Sequence, residues 1–233
     1  MVDIILSSIA LLILAPLFLV VSGLIKILSP GPVFFKQKRI GYKGKDFTMF
    51  KFRTMKVNNN DTVHKEYAKQ FIKSDQKLVK LDNKNDKRII PGGRFLRKAC
   101  IDELPQLINV LRGEMSIVGP RPPIPYEVDE YNYWHIKRFD VMPGLTGLWQ
   151  VSGKQKLTFS QMIRMDIRYR NKLSFLFDLF IIIKTIPTIL GMIFDVVLKK
   201  AAAVREKKHS HREKTLKKYS FYIMIIKLFS WIK

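Results

Sequence analysis

The 233 residues suit one domain with appendages, long enough for a modest core. A formal charge of +23, from 42 Lys and Arg against 19 Asp and Glu, argues against a basic partner and for an anionic one: nucleic acid, acidic lipid or a phosphate-bearing substrate. One cysteine, Cys100, excludes an internal disulfide and a multi-cysteine metal site, and reads as a small packed side chain. His64, His135, His209 and His211 show no metal-ligand spacing and read as surface or loop residues.

Ile4 to Ile25 is a run of 22 residues without a charge. About 20 apolar residues span a bilayer, so this is a membrane helix by length. No basic region precedes the run and no small-residue cleavage site follows it, which argues against a cleaved signal peptide. Pro16, near the middle, predicts a kink. With a sharp kink each arm reaches only about 18 Å, so the run enters one leaflet and returns; with a mild one it spans. Lys26, Lys36, Lys38 and Arg39 place the body on the cytoplasmic side either way.

Val33 to Ile40 and Phe47 to Met55 are rich in aromatic and β-branched residues around a turn with Gly41 and Gly44, and predict a β-hairpin. Lys51 and Arg53 share one face of its second strand, either solvated or on a phosphate. Val57 to Arg88 is polar, with a surface helix expected over Thr62 to Ile72. No repeat, GxGxxG or P-loop occurs.

Arg97 to Pro122 holds the adjacent carboxylates Asp102 and Glu103. Leu104, Leu107, Ile108 and Leu111 fall at i, i+3, i+4 and i+7, one apolar helical face that ends at Gly113. Asp102 is the expected N-cap, with Pro105 in the first turn. A carboxylate there is ionised by the helix dipole and sits where anions bind; a plain cap is the simpler reading.

Tyr126 to Arg138 is aromatic-rich and partly helical by pattern, and Phe159 to Tyr169 is helical with Asp166 its one acidic residue. Between them, Pro143 to Gly153 carries three glycines around Trp149 and Gln150, a loop able to approach a nucleotide with Trp149 stacking on a base; a core tryptophan is the alternative. Over Ser174 to Lys199 the longest uncharged run is ten residues, Thr185 to Phe194, too short to span. Its polar residues gather within about 140° of arc, which predicts an interfacial amphipathic helix, against the alternative of a core-packing one. The tail, Lys199 to Lys233, has eleven basic and two acidic residues and an apolar end, a pattern drawn to anionic lipid or, alternatively, a disordered or nucleic-acid-binding tail.

The ordered set "FKFRTM" (Phe50 to Met55), "DELPQLINVLRGEMSIVGPRP" (Asp102 to Pro122), "PGLTGLWQVSG" and "MDIRYRNKLSFLFDL" (Met165 to Leu179) resembles the bacterial sugar transferases, the monotopic phosphoglycosyl transferases, in their small catalytic form. The resemblance covers roughly Ile4 to Ile193. Taken with the patterns above, it implies a mostly helical α+β fold: a membrane-inserted helix over 1–28, spanning or, as in the family, re-entrant at a proline that matches Pro16, and a catalytic domain over 29–198 with a short β-hairpin and an interfacial helix at 174–198. Of the basic amphipathic tail over 199–233, longer than the minimal family form, it says nothing. Ala15 stands where the family usually has serine, and Ala99-Cys100-Ile101 replaces small hydroxylic residues.

The activity implied is transfer of a sugar phosphate from a UDP-sugar to polyprenyl phosphate, at the cytoplasmic face of the bacterial plasma membrane, with release of UMP. Asp102 matches the nucleophile and Glu103 its partner, the two sharing Mg²⁺. Arg97 and the arginine of Pro120-Arg121-Pro122 match phosphate-binding positions; Lys51 and Arg53 are additions from the strand, and Trp149 and Gln150 nucleotide candidates. Anionic lipid is an expected partner, nucleic acid is not, and a homodimer is compatible with the chain. One-step transfer with Asp102 only a metal ligand, a membrane-anchored nucleic-acid binder and a non-catalytic scaffold are the competing readings.

Overall fold

The computed structural model describes residues 2–57, 62–77, 86, 88–153 and 156–194. The chain divides into two units after Leu190, and the first contains every contact discussed below. The basic tail lies outside the described residues.

Helix α1 (Val2–Leu28) continues through Pro16. Asp3, Ser7, Ala10, Leu14, Leu17, Val21 and Ile25 form a buried or half-buried stripe, spaced by threes and fours as one face of a helix must be. That stripe packs on the domain, while most of the remainder stays exposed: Leu12 is 78% accessible and Leu19 76%. At ~1.5 Å per residue the helix is about 40 Å long, and both ends touch the same body. Near its start the Ile117 amide donates to Asp3 Oδ1 (3.3 Å). Near its end Val21 and Ile25 share a core with Phe52 and Ile90, lined by Leu96 and Ile101.

Strands β1 (Phe34–Ile40) and β2 (Asp46–Phe52) form the expected antiparallel hairpin, Phe34 opposite Phe52 and Ile40 opposite Asp46. A single 3-10 turn, Tyr42–Gly44, joins them. Helix α2 (Thr62–Ser74) follows, as the sequence predicts. Helix α3 (Gly93–Lys98), a 3-10 turn at Ile101–Glu103 and helix α4 (Gln106–Leu111) build the central stretch.

The predicted face of α4 is corrected. Leu107 is buried, but Gln106, Asn109 and Val110 share its burial and Leu111 is exposed. The reason is Asn109, at 0% exposure. Its Oδ1 accepts from the Phe50 amide (3.0 Å), and its Nδ2 donates to the Thr48 carbonyl (2.7 Å) and to Glu114 Oε2 (2.6 Å). One side-chain amide thus satisfies both backbone directions of β2, turning the helix so that a polar residue faces inward.

Strand β3 (Ser116–Val118) pairs in parallel with β4 (Gly144–Thr146), a pairing the sequence pattern did not reveal. Helix α5 (Pro125–Val128) and a 3-10 stretch at Tyr133–Asp140 lie between them. His135, expected at the surface, is buried at 2% among Tyr131, Trp134 and Phe159, and its Nδ1 accepts from the Asn132 amide. Helix α6 (Leu148–Val151) leads to helix α7 (Phe159–Asn171), which Thr158 and Gln161 start with a reciprocal capping box.

The last described helix, α8 (Phe175–Phe194), corrects the expectation of a segment too short to span: it is 20 residues long with a mean hydropathy of 2.0, sufficient in length and composition to cross a membrane, because Asp178 and Lys184 interrupt the uncharged run without ending the helix. Its polar stripe turns toward the domain. Asp178 Oδ1 accepts from the Tyr169 hydroxyl (2.7 Å), Ile181 is fully buried, and the hydroxyls of Thr185 and Thr146 are 2.8 Å apart. Phe175, Leu176, Phe180, Ile183, Ile186 and Leu190 remain exposed. α1 and α8 thus each bind the domain by one stripe and present an apolar remainder, more than a water-facing surface carries without a function.

Candidate active site

The carboxylate pair sits at a turn rather than at a helix cap. Cys100 precedes it in the left-handed region (φ 57°), which a non-glycine residue adopts at some cost, and this reverses the chain into the 3-10 turn Ile101–Glu103. Pro105, not Asp102, is the residue before α4, and no side chain caps that helix. The predicted cap is therefore corrected: Asp102 is released from a backbone role. Ile101 packs into the core shared with α1, which fixes the turn against the membrane-facing helix.

Asp102 and Glu103 sit side by side in opposite electrostatic settings. Glu103 Oε1 takes the ammonium of Lys51 at 2.7 Å and Arg121 Nη1 at 3.2 Å. Burial alone would raise the Glu103 carboxyl, but Lys51 and then Arg121 outweigh it and hold it far below the ordinary carboxylate range. Lys51 in turn is lowered, chiefly by its burial. Asp102 is 9% exposed and, among the described residues, makes no hydrogen bond or ion pair. Burial, and then the charge of Glu103, push it up to about 6, against weaker pulls from Lys51, Arg97 and Arg121. The site therefore holds one committed carboxylate and one uncommitted, desolvated carboxylate within a basic surround.

Four of the residues singled out in the sequence converge here: Lys51, Asp102, Glu103 and Arg121. Arg97, on α3, lies within electrostatic reach of Asp102 and of Asp86. Arg53 does not converge. It is buried, and donates from Nε to the Pro32 carbonyl (2.6 Å), from Nη1 to Ser29 Oγ (2.9 Å) and from Nη2 to the Ser29 carbonyl (2.8 Å). Its donors fasten the exit of α1, which removes it from the phosphate-binding candidates.

Trp149 is corrected too. Its ring is 7% exposed and belongs to the core, so it offers no face for a base. Glycines near it serve the β3–β4 approach: a Cβ on Gly144 would lie 2.0 Å from the Gly119 nitrogen, and one on Gly119 2.2 Å from the Met142 carbonyl oxygen. Gln150, half-buried beside Gly147, shares that role of support.

Two buried residues near the site escape a reading by motif, because each carries no chemistry of its own. Arg39, from β1, lies within electrostatic reach of Lys51 and Arg121, and burial, followed by Arg121, lowers it to about 10. Arg138 reaches the backbone of Arg121.

The donor set suits a hard divalent cation. Asp102 and the second oxygen of Glu103 are oxygen ligands of the kind Mg²⁺ takes. No group of three His, Cys, Asp or Glu residues gathers among the described residues, so for any cation held here water and substrate phosphate would have to supply the other ligands. Such partial coordination is how Mg²⁺ commonly binds, whereas a protein cage for Zn²⁺ is missing from the described residues.

Comparison with known proteins places this geometry in a family. The bacterial sugar transferase model matches residues 1–192. An exopolysaccharide production protein, ExoY, of Sinorhizobium fredii is 40% identical over 193 residues, 80% of this chain and 83% of that protein. The UDP-glucose:undecaprenyl-phosphate glucose-1-phosphate transferase of Escherichia coli is 36% identical over 192 residues, 79% of this chain and 38% of that longer protein. The undecaprenyl-phosphate galactose phosphotransferase of Salmonella typhimurium is 37% identical over 164 residues, 69% of this chain and 34% of that protein. With the match running from α1 through the carboxylate turn and Arg121 to α8, the chain belongs to the bacterial sugar transferase family, and it is an enzyme.

Proposed function

We propose that this chain transfers a sugar 1-phosphate from a UDP-sugar to undecaprenyl phosphate, through a covalent phosphosugar on Asp102, at the cytoplasmic face of the plasma membrane. The observation that carries the reading is the uncommitted Asp102 carboxylate beside a Glu103 saturated by Lys51 and Arg121. Relatives from E. coli and Salmonella are named for transfers to undecaprenyl phosphate, and ExoY for exopolysaccharide production.

Attack by one Asp102 oxygen on the sugar-bearing phosphorus forms an acyl phosphate and breaks the bond to the bridging oxygen, which leaves with UMP. An oxygen of the undecaprenyl phosphate then attacks the same phosphorus. The acyl-phosphate bond breaks, Asp102 is regenerated, and a diphosphate-linked lipid sugar is the product. Desolvation leaves Asp102 a stronger nucleophile once ionised, because no hydrogen bond ties down its lone pairs. Arg121 and Lys51 hold Glu103 in place and set positive charge where pyrophosphate oxygens arrive, with Arg97 adding charge within electrostatic reach of Asp102. Mg²⁺ fits Asp102 and the free oxygen of Glu103, and would supply neutralisation of phosphate charge. Glu103, locked in two ion pairs, acts as a positioning and metal-binding group rather than as a base.

The lipid acceptor presents its phosphate at headgroup level, and the structure supports a site at that level. α1 touches the domain from Asp3 to Ile25, and its lipid-facing side is continuous with that of α8 in chemistry. A helix crossing the bilayer would carry its two ends to opposite sides, yet both ends of α1 rest on the domain that holds Asp102. We infer entry into one leaflet without crossing, supported by those two contacts, although α1 runs through Pro16 as one helix. Single cysteines at Val2 and Ile27, in a Cys100→Ser background, should react with an impermeant maleimide from the same side of sealed vesicles; labelling from opposite sides would mean a span.

The deciding assay mixes the full chain in detergent with undecaprenyl phosphate and a panel of UDP-sugars. UMP release is expected, together with a sugar-phosphate mass adduct on the protein when the acceptor is omitted. The adduct should vanish in Asp102→Asn. Release of UDP would overturn sugar-phosphate transfer, and turnover by Asp102→Asn would overturn the covalent route.

A further inference from the structure

Arg121 stands in a segment that cannot hold itself in place. Pro120, Pro122 and Pro123 have no N–H, so of the four residues only Arg121 can donate from its backbone. The segment is held through its carbonyls instead, each taken by a donor from elsewhere. Gly144 N–H donates to Pro120 (2.9 Å), Arg138 Nη2 to Arg121 (2.7 Å), Arg39 Nη1 to Pro122 (2.9 Å) and Ile40 N–H to Pro123 (3.0 Å). Two of the four donors are guanidinium groups, on the successive carbonyls of Arg121 and Pro122.

Both guanidinium groups are buried, at 6% exposure for each residue. Arg138 is supported from behind: its Nη1 donates to the Tyr131 hydroxyl (2.8 Å), and Asp166 Oδ2 faces its Nη2 at 2.8 Å without the alignment of a hydrogen bond. Arg39 Nη2 donates to Gln37 Oε1 (2.7 Å), and among the described residues no carboxylate pairs with it. Burying an arginine without a counter-ion beside a second cation is costly, and a neutral donor would hold a carbonyl more cheaply. What a rigid, planar guanidinium adds is direction, since its fork fixes two acceptors relative to each other.

We propose that Arg39 and Arg138 are positioning residues, which lock the Pro120–Pro123 backbone so that the Arg121 side chain is aimed at Glu103 and at the phosphates of the donor. The inference rests on the transferase reading above. Neither residue makes a hydrogen bond or ion pair with Glu103 or Asp102. The charge of Arg39 does reach Glu103 and Lys51, but a lysine in its place keeps that charge, so what the substitution removes is the grip on the backbone around Arg121. Removing their aim should therefore cost nothing once Arg121 has lost its side chain.

A double-mutant cycle on the full chain in detergent tests this, with UMP release as the rate and thermal melting as the check on folding. Arg138→Lys keeps a charge opposite Asp166 but cannot reach the hydroxyl and the carbonyl in one plane; Arg39→Lys likewise keeps its charge. Each is expected to lower kcat about tenfold to a hundredfold in the parent. In an Arg121→Ala background the further loss should be less than about twofold. Losses that multiply independently in the two backgrounds would overturn the proposal and leave the transferase reading intact. Loss of folded protein in both Arg39→Lys and Arg138→Lys would make the pair structural and overturn it as well. A parent chain that releases no UMP from any UDP-sugar would sink the transferase reading and the inference together.

Discussion

Lys51 Nζ and Glu103 Oε1 meet at 2.7 Å, from residues 52 apart in sequence, and this contact joins the hairpin to the carboxylate turn. Both side chains are largely shielded, and Arg121 shares the same oxygen. Lys51→Met would leave Glu103 with one partner instead of two. A cost of about 2 kcal/mol at neutral pH is expected, below the full range for a buried pair because Arg121 remains.

The pH dependence of that cost has a definite sign. The Glu103 carboxyl is lowered in the folded protein, so its contribution to stability is full above its unfolded value, about 4.3, and is lost as pH falls through the folded one. The gap between parent and Lys51→Met should be constant from about pH 8 to 5 and shrink below that, by at most about 1.4 kcal/mol per pH unit. Urea unfolding in EDTA measures it. A gap that persists unchanged to about pH 3 would mean that Glu103 is not the partner that matters.

Asp102 should behave in the opposite way. Its folded-state value of about 6 exceeds the ordinary 3.8, so the folded protein prefers it protonated. Stability then falls as pH rises from about 4 to 6, and the whole penalty is present at neutral pH. Asp102→Asn removes it. The variant should be more stable than the parent at about pH 7.5 in EDTA, by about 2 kcal/mol, and no more stable at about pH 4, while UMP release drops by at least about a thousandfold. A variant destabilised at neutral pH would show that the carboxylate has a structural partner.

Much of this arrangement was legible in the chain. Alternating aromatic and charged residues specify the hairpin, and the uncharged run specifies α1. Asp102, Glu103 and Arg121 were findable through the ordered motifs that resemble the family, a plain cap being the simpler reading of Asp102 alone, and Lys51 as a cation on an aromatic strand. Arg53 and Lys51 look equivalent on one strand face, yet one serves the chain's own carbonyls and the other a carboxylate. That difference depends on where Ser29 and Glu103 fold to, which no local pattern encodes. The face of α4 was misplaced for a related reason: periodicity counts apolar residues, and Asn109 is buried by hydrogen bonds to a distant strand. The parallel pairing of β3 with β4 joins three-residue strands, too short to show a period.

The glycines of that pairing give a sharper test than their sequence suggests. A methyl group on Gly144 would meet the Gly119 nitrogen at 2.0 Å, inside any allowed contact, and the three nearest atoms are all backbone. Gly144→Ala should force β4 away from β3 and loosen Pro120, whose carbonyl accepts from the Gly144 amide. Destabilisation of about 3 kcal/mol or more is expected, at the upper end for overpacking because no side chain can yield. Gly113, where a Cβ meets nothing within 4 Å but φ is 72°, is the control: Gly113→Ala should cost only the backbone strain, about 1 kcal/mol. Equal melting temperatures for the two variants would contradict the close approach of the strands.

Arg53 separates support of the membrane helix from binding of phosphate. Its three donors reach two carbonyls and one hydroxyl of the Ser29–Pro32 exit, and Ser29 in turn donates its amide to the Ile25 carbonyl in the last turn of α1. A lysine at this position has one nitrogen for three acceptors that lie in a fork, so Arg53→Lys should leave buried acceptors unsatisfied and cost about 2 to 3 kcal/mol. The penalty belongs to the junction between α1 and the hairpin, where Phe52 also packs on Val21 and Ile25. KM for the UDP-sugar should therefore stay within about twofold of the parent in the folded fraction, while the melting temperature falls by several degrees. The reverse result, an intact melting temperature with KM raised about tenfold or more, would return Arg53 to the substrate site and leave the exit of α1 without its clamp.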